Sequence, residues 1–199
     1  MECLLGIAGK DFVVFASDSM ASHSIIVIKD DVNKMFQMDD RLAMVVSGAP
    51  GDTTTFGELI QRNVQLYKIR HGYSLSPHAA ASFTRQNLAK ALREGPYQVD
   101  MLIGGYDEHD GAALYFMDYL GTMDKVPYAA HGYASYMTLS IMDRHYREDL
   151  TKEEAIGIIK KCIAEVQKRL VINLPKFNVH TVDKEGVHTS NDAEELMES

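Results

Sequence analysis

Histidine is the side chain that most often binds metals or transfers protons near neutral pH, so its spacing tests for both kinds of site. The sequence has eight histidines, at positions 23, 71, 78, 109, 131, 145, 180 and 188. No two of them have the helical i, i+4 spacing, with a partnering carboxylate, that places two ligands on one metal. The pattern therefore predicts no metal site, and His131 is expected to be packed or hydrogen-bonded rather than catalytic.

The adjacent glycines Gly104 and Gly105 follow the apolar start of a predicted strand, which resembles the strand and glycines of phosphate-binding loops. Such a loop needs a helix N-terminus directly after it, because the helix amides bind the phosphate. Here the charged residues 107–111 predict a hairpin turn instead. The sequence therefore predicts no phosphate-binding loop and no cofactor.

The composition excludes further classes of protein. The 199 residues include 20 Lys and Arg against 28 Asp and Glu, a formal net charge of −8, which argues against a nucleic-acid partner. The two cysteines, Cys3 and Cys162, make no disulfide framework and fit a reducing compartment. Residues 1–11 lack the pattern of a targeting peptide, and the apolar runs are too short to span a membrane. We therefore expect an intracellular protein without membrane contact.

Four stretches have the three- and four-residue apolar spacing of amphipathic helices. They begin at Asp52 or Thr53, at Ser76-Pro77, at Tyr136 and at Thr151. Ser76 is a capping residue before a proline at the first helical position, and Thr151 with Glu154 forms a capping box.

Short apolar runs bounded by turn residues predict strands. They are residues 3–8, 12–16, 25–28, 35–38, 42–46, 101–106, 113–117, 122–126 and 177–182. Short breaks favour antiparallel pairing, and strands that are apolar on both faces need cover on both sides. Two sheets stacked between two helix pairs provide this cover. We therefore predict an α+β fold, a four-layer αββα sandwich, with one domain over residues 1–189 and an acidic tail over 190–199.

Several segments follow the order and spacing of a known family. They are Cys3–Ile7, Ala16–Ser19, Lys34–Phe36 and Ser47–Asp52. With these segments the chain resembles the proteasome β-type subunits, which have the N-terminal-nucleophile hydrolase fold. Further stretches narrow the resemblance to a eukaryotic branch that holds the fourth position of the β ring; they are residues 64–70, 75–77, 104–107, 117–120 and 129–133.

Active members of that family cut peptide bonds with an N-terminal threonine, whose own α-amine takes up the hydroxyl proton. The resemblance places Asp18, Lys34 and Gly48 at the family's aspartate, its lysine and the glycine whose amide stabilises the oxyanion. The nucleophile position falls at Met1 or Glu2, and neither side chain offers a hydroxyl or a thiol. The resemblance therefore implies a non-catalytic subunit, since loss of a nucleophile can cost about 10⁶ in rate.

Three supporting positions also depart from the family's pattern. Tyr133 stands at the first serine, Leu170 at the aspartate and Asn173 at the second serine. No propeptide whose removal would expose a threonine is expected. Asp18 and Lys34 are then interpreted as an inherited structural ion pair.

Two alternative nucleophiles are weighed against structural roles. The threonines Thr53–Thr55 look like the mature N-terminus of an active subunit, but cleavage there would discard the leading strands, so helix capping is preferred. Cys3 would become N-terminal after two residues were trimmed, which would make the chain an amidase or peptidase of the same fold. The competing interpretation of Cys3 is a small apolar residue in a buried strand.

The resemblance also implies partners and a compartment. A non-catalytic subunit would contact two β neighbours in its ring, α-type subunits, and β subunits of the opposite ring. It would serve ubiquitin-dependent protein degradation in the cytoplasm and nucleus. Such permanent interfaces are large, so the isolated chain is expected to be poorly soluble or misassembled.

Overall fold

The computed structural model describes residues 2–23 and 26–190. The first strands are β1 Cys3–Ala8, β2 Phe12–Asp18, β3 Ala21–His23, β4 Ile26–Lys29, β5 Met35–Asp39 and β6 Leu42–Gly48. Helices α1 Pro50–His71 and α2 Pro77–Ala91 precede strands β7 Val99–Asp107, β8 Gly111–Met117, β9 Met123–Lys125 and β10 Tyr128–Gly132. The last elements are α3 Ser135–His145, α4 Lys152–Arg169, β11 Phe177–Asp183 and β12 Gly186–Ser190.

Two five-stranded antiparallel sheets form the centre of the molecule. The first has the order β10-β1-β2-β11-β12, and the second has the order β5-β6-β7-β8-β9, while β3 and β4 pair separately. Helices α3 and α4 cover the first sheet, and α1 and α2 cover the second. The predicted αββα sandwich of an α+β fold is therefore confirmed.

The two sheets interlock through a large residue opposite a small one. The fully buried Phe15 of β2 faces Gly104 of β7, and a Cβ atom on Gly104 would lie 2.7 Å from Phe15 Cζ. Glycine at this position therefore serves close packing between strands. A Cβ atom on Gly105 would lie 2.5 Å from the Arg41 carbonyl oxygen, so both glycines of the pair serve close packing.

Two of the predicted helix starts are confirmed by their capping bonds. The Ser76 hydroxyl accepts from the Ala79 amide at 3.3 Å, and the Thr151 hydroxyl accepts from the Glu154 amide at 3.2 Å. The Glu154 carboxylate in return accepts from the Thr151 amide at 3.0 Å, which completes the capping box.

The predicted start of α1 is wrong. The helix begins at Pro50, and its N-cap, Ala49, has no side chain that could bond. A proline at the first helical position sets the backbone without a capping side chain. Asp52 instead accepts from the Gln98 amide at 2.9 Å and ties the first turn of α1 to the chain that enters β7.

Other element predictions differ in detail. Strand β10 was not expected, although it pairs with β1 along the edge of the first sheet. The predicted strand 25–28 corresponds to β4, and residue 25 lies outside the described residues. The predicted acidic tail lies outside them from residue 191 onward, and Ser190 is the last residue of β12.

Candidate functional site

Asp18 is the centre of a buried polar group at the end of β2. Its carboxylate accepts from the Cys3 amide at 2.7 Å, from the Met20 amide at 3.1 Å and from Lys34 Nζ at 2.8 Å. The side chain is fully buried. A buried carboxylate needs such donors, because an unpaired charge away from water is strongly unfavourable.

Lys34 bridges two carboxylates from the other side. It directly precedes β5 and is 5% exposed. Its ammonium lies 2.8 Å from Asp18 Oδ2 and 3.1 Å from Glu2 Oε1. The Asp18–Lys34 ion pair predicted from the resemblance is therefore present, and the Glu2 carboxylate is a third charged group beside it.

Gly48, at the end of β6, supplies the backbone donor of the site. Its amide donates to Glu2 Oε2 at 2.6 Å. The residue has φ +141°, and a Cβ atom there would lie 2.1 Å from the Gln98 carbonyl oxygen. Only glycine fits this backbone without movement of β7, so the direction of the amide is fixed by the fold.

Glu2, Lys34 and Gly48 line a cavity of about 330 Å³, and Asp18 lies buried behind Lys34. Its wall combines the polar residues Glu2, Lys34, Asp100 and Thr53 with apolar ones such as Met20 and Val46. Asp18 belongs to the first sheet, which Glu2 directly precedes; Gly48 belongs to the second, whose strand β5 directly follows Lys34. The site is therefore assembled across the interface between the sheets.

Of the two residues at which the resemblance places the nucleophile position, Met1 and Glu2, the structure describes Glu2. Among the described residues, Glu2 contacts both Lys34 and Gly48; Met1 lies outside them. The sequence carried one signal for the contact of Glu2 with Lys34. Glu2 is negatively charged, and the resemblance implies that a lysine lies near this position. The bond from Glu2 to the Gly48 amide could not be found from spacing, because 46 residues separate the two.

The three substituted positions divide between the cavity and its surroundings. Tyr133 lines the cavity and is 58% exposed. Leu170 caps the end of α4 and packs against the core between α4 and the first sheet, and Asn173 is exposed. Of the three, the structure brings only Tyr133 to the site in the described part of the chain.

Cys3 is in the sheet rather than in the cavity. Its side chain is fully buried among the apolar residues between the first sheet and α3 and α4, while its amide donates to Asp18. Burial is the main cause that raises the pKa of the Cys3 thiol well above its usual value. A thiol held protonated is a poor nucleophile.

The threonine run lies within α1, so the prediction that it caps the helix is wrong. Thr53 and Thr54 donate their hydroxyl hydrogens to the Pro50 carbonyl at 3.0 and 3.1 Å. Both line the cavity wall, and Thr55 is exposed. The hydroxyl bonds to the preceding turn give these threonines a structural role within a continuous helix.

His131 is packed, as expected from the sequence. Its Nε2 lies 3.1 Å from the Met101 carbonyl oxygen, and its ring stacks on Phe116 with centroids 4.3 Å apart. Burial lowers the pKa of His131 below its usual value. Across residues 2–23 and 26–190, no group of three or more His, Cys, Asp or Glu side chains could hold a metal ion. In the same ranges no helix is both long and apolar enough to cross a membrane.

Two stacked sheets between helix pairs, a buried aspartate–lysine pair and a glycine amide at the end of β6 are consistent with the N-terminal-nucleophile hydrolase fold. A family model described as "Proteasome subunit" matches residues 2–182. The chain belongs to the proteasome subunit family, in its β-type branch.

Curated relatives match over most of their length. The Arabidopsis thaliana protein named proteasome subunit beta type-2-A is 48% identical over 94% of this chain and 91% of its own. The Saccharomyces cerevisiae protein named proteasome subunit beta type-4 is 44% identical over 96% of this chain and 98% of its own. A Schizosaccharomyces pombe protein named probable proteasome subunit beta type-4 is 46% identical over 96% of this chain and all of its own.

Proposed function

We propose that this chain is a non-catalytic β subunit of the 20S proteasome core particle. The observation that carries the proposal is the Glu2 carboxylate. Glu2 is one of the two residues, with Met1, at which a nucleophile is expected. Its carboxylate accepts the Gly48 amide at 2.6 Å, the donor that would have to stabilise an oxyanion. A substrate carbonyl cannot use that amide while the carboxylate holds it.

The remaining chemistry of the site supports the same conclusion. Lys34 is shared by Asp18 and Glu2, so its charge is already balanced by two carboxylates. Glu2 carries no hydroxyl, and Tyr133 lies inside the chain, where its hydroxyl has no free α-amine of the same residue to act as its base. The group that is left fixes the geometry of the first strands, which is the structural role of a buried ion pair.

The proposed role is to complete the wall of the degradation chamber, at the fourth position of the β ring. Its partners would be two β neighbours in that ring, β subunits of the opposite ring and α-type subunits. Exposed apolar side chains support extensive contacts, since a lone soluble domain has few in one patch. They include Ile26, Val27 and Ile28 of β4, together with Ile69, Tyr136 and Val171.

The proposed compartments are the cytoplasm and the nucleus, where the assembly would serve ubiquitin-dependent degradation. Both cysteines are buried and free, which suits a reducing environment. Fractionation of cells with an antibody to this chain tests the proposal, and enrichment in a secretory compartment would contradict it.

The test of catalytic status is covalent labelling of the purified native assembly. An epoxyketone, which reacts with a hydroxyl beside a free α-amine, should add no mass to this chain while it labels active β subunits of the same preparation. Intact-mass measurement should also find Glu2 retained. A labelled chain, or a mass that begins at Cys3 with thiol-reagent labelling there, would overturn the proposal in favour of the Cys3 peptidase.

A further inference from the structure

The Glu2 carboxylate is bound by its own chain in the way a protein binds a separate carboxylate ligand. One oxygen, Oε1, lies 3.1 Å from the Lys34 ammonium, and the other, Oε2, accepts the Gly48 amide at 2.6 Å. Charge-assisted bonds of this kind are about twice as strong as neutral ones. The two donors lie on different segments and converge on one carboxylate.

Both donors are held in place independently of Glu2. Lys34 is anchored by Asp18 at 2.8 Å in a setting that leaves it 5% exposed. The Gly48 amide is directed by its backbone, with the neighbouring Ala49 amide bonded to the Gln98 carbonyl at 2.9 Å. Donors that are fixed before a ligand arrives lose little freedom when it binds. Loss of the Glu2 side chain would therefore leave a formed site rather than a collapsed one.

The surroundings set the chemistry of a replacement ligand. The cavity of about 330 Å³ has room for a small acid, and Phe36, Met20 and Val46 give it apolar wall. Asp100 also lines it, with its carboxylate accepting from the Tyr119 amide at 3.0 Å, so the net charge around the site does not attract anions from a distance. Recognition of such a ligand would depend on the two bonds from Lys34 and Gly48, and the affinity of the site for a free carboxylate would be weak.

We propose that this cavity is a carboxylate-binding site whose built-in ligand is the Glu2 side chain. When that side chain is absent or displaced, the site takes a small free carboxylate or the C-terminal carboxylate of a peptide. The attached ligand acts at an effective concentration on the order of millimolar or above, so dilute external acids do not compete with it in the unaltered chain. The proposal is independent of catalytic status, because no step of it involves peptide cleavage.

The test is hydrogen exchange of the Gly48 amide, followed by mass spectrometry in the native assembly with the full-length chain. In Glu2→Ala the amide loses its acceptor, so its exchange should become at least tenfold faster. Sodium acetate at tens of millimolar should restore the slow exchange, and sodium chloride at equal ionic strength should not. The unaltered chain should change less than twofold in either salt.

Glu2→Gln is the matched control. Its amide oxygen can still accept from Gly48 and its side chain still fills the site, so acetate should have little effect. Equal Gly48 exchange in Glu2→Ala and the unaltered chain would overturn the proposal, as would equal effects of acetate and chloride on Glu2→Ala. Glu2→Ser repeats the test if the alanine variant does not fold. If neither folds, their refolding yields in acetate and chloride are compared, and equal yields would overturn the proposal.

An acetylated dipeptide with a free C-terminus, compared with its amide, tests the peptide source. Protection of Gly48 in Glu2→Ala by the acid alone supports binding of peptide ends. Protection by acetate with none from the dipeptide acid would overturn that half of the proposal and leave a site for small acids.

Discussion

Two aspartates occupy opposite ends of the pair formed by β2 and β11. Asp18 faces Phe177 at one end, and Asp183 faces Phe12 at the other. Each is held by a lysine at 2.8 Å, Lys34 in the first case and Lys152 in the second. The lysine side chains differ, however, because Lys34 is 6% exposed and Lys152 is 35% exposed.

This difference in exposure separates the Asp18–Lys34 pair, which is part of the candidate site, from the Asp183–Lys152 pair, which contributes to the stability of the fold. The ammonium of Lys34 is shielded from water and points to the cavity, where a third group, Glu2, also binds it. The Asp183 carboxylate accepts bonds from the Glu185 amide and the half-exposed His188 as well. Similar ion-pair distances therefore carry very different consequences for stability, because burial sets the cost of an unpaired charge.

The largest contrast should come from removal of each lysine's charge. Lys34→Met leaves the buried Asp18 and Glu2 without their shared cation, and we expect a loss of about 3–5 kcal/mol in the free energy of unfolding. Lys152→Met, the matched control, should cost less, about 1–2 kcal/mol, because Lys152 is partly exposed and Asp183 keeps the Glu185 amide and His188 as partners. Hydrogen exchange of the β2 and β11 amides in the native assembly measures both. Equal losses would show that burial does not distinguish the two ends.

A second contrast concerns two glycines with similar backbones. Gly48 has φ +141° beside the cavity, and Gly186 has φ +133° at the start of β12. Alanine is strained at both, by about 1–3 kcal/mol. A Cβ atom on Gly48 would lie 2.1 Å from the Gln98 carbonyl oxygen. A Cβ atom on Gly186 would lie 3.3 Å from the Asp40 carbonyl oxygen. Gly48→Ala should therefore lower the urea midpoint clearly more than Gly186→Ala, and the reverse order would contradict the cavity geometry.

Acid should weaken the Asp183 end within a defined pH range. Partial burial acts to raise the pKa of Asp183, but the hydrogen bond and charge of Lys152 outweigh it and lower this pKa from 3.8 to about 2. Because the folded pKa lies below the unfolded one, the pair stabilises the fold above about pH 4 and loses this contribution as pH falls through about 2. Lys152→Met should flatten the decline in β11 protection between these values. If the decline in β11 protection is unchanged in Lys152→Met, other titrating groups cause that decline.

Salt should produce the smallest contrast. Raising the ionic strength from about 0.1 to about 1 M shortens the screening length to about 3 Å, which weakens partly exposed pairs. Protection of the β11 amides near Asp183 should fall by a few tenths of a kcal/mol, whereas protection of the β2 amides near Asp18 should not change. Salt sensitivity at β2 would indicate that water reaches Lys34.

Local chemistry explains what the sequence could predict of the fold. Ser76-Pro77 and Thr151 with Glu154 were found because capping depends on a few adjacent residues, and both caps are confirmed. The start of α1 was mistaken because Pro50 begins the helix after an alanine, which carries no capping signal. Strand β10 was missed because its five residues, with His131 and Gly132 among them, are stabilised by pairing with distant β1.

The candidate site was predictable only as far as the resemblance reached. Asp18, Lys34 and Gly48 were named from the family's pattern, and the structure brings them together. The role of Glu2 depends on two sheets placing a side chain and an amide 46 residues apart within 2.6 Å. No pattern along one strand records such a distance, since it results from how the layers stack.

The contact of Phe15 with Gly104 has a mechanical consequence for the cavity. A ring seated where the opposite strand has no side chain resists shear of one layer over the other. Glu2 directly precedes β1 of one sheet and Gly48 ends β6 of the other, so their separation depends on how the two sheets are stacked. A bulkier residue at position 104 would force the two sheets apart. It would thereby separate the Glu2 carboxylate from the Gly48 amide without contacting either group.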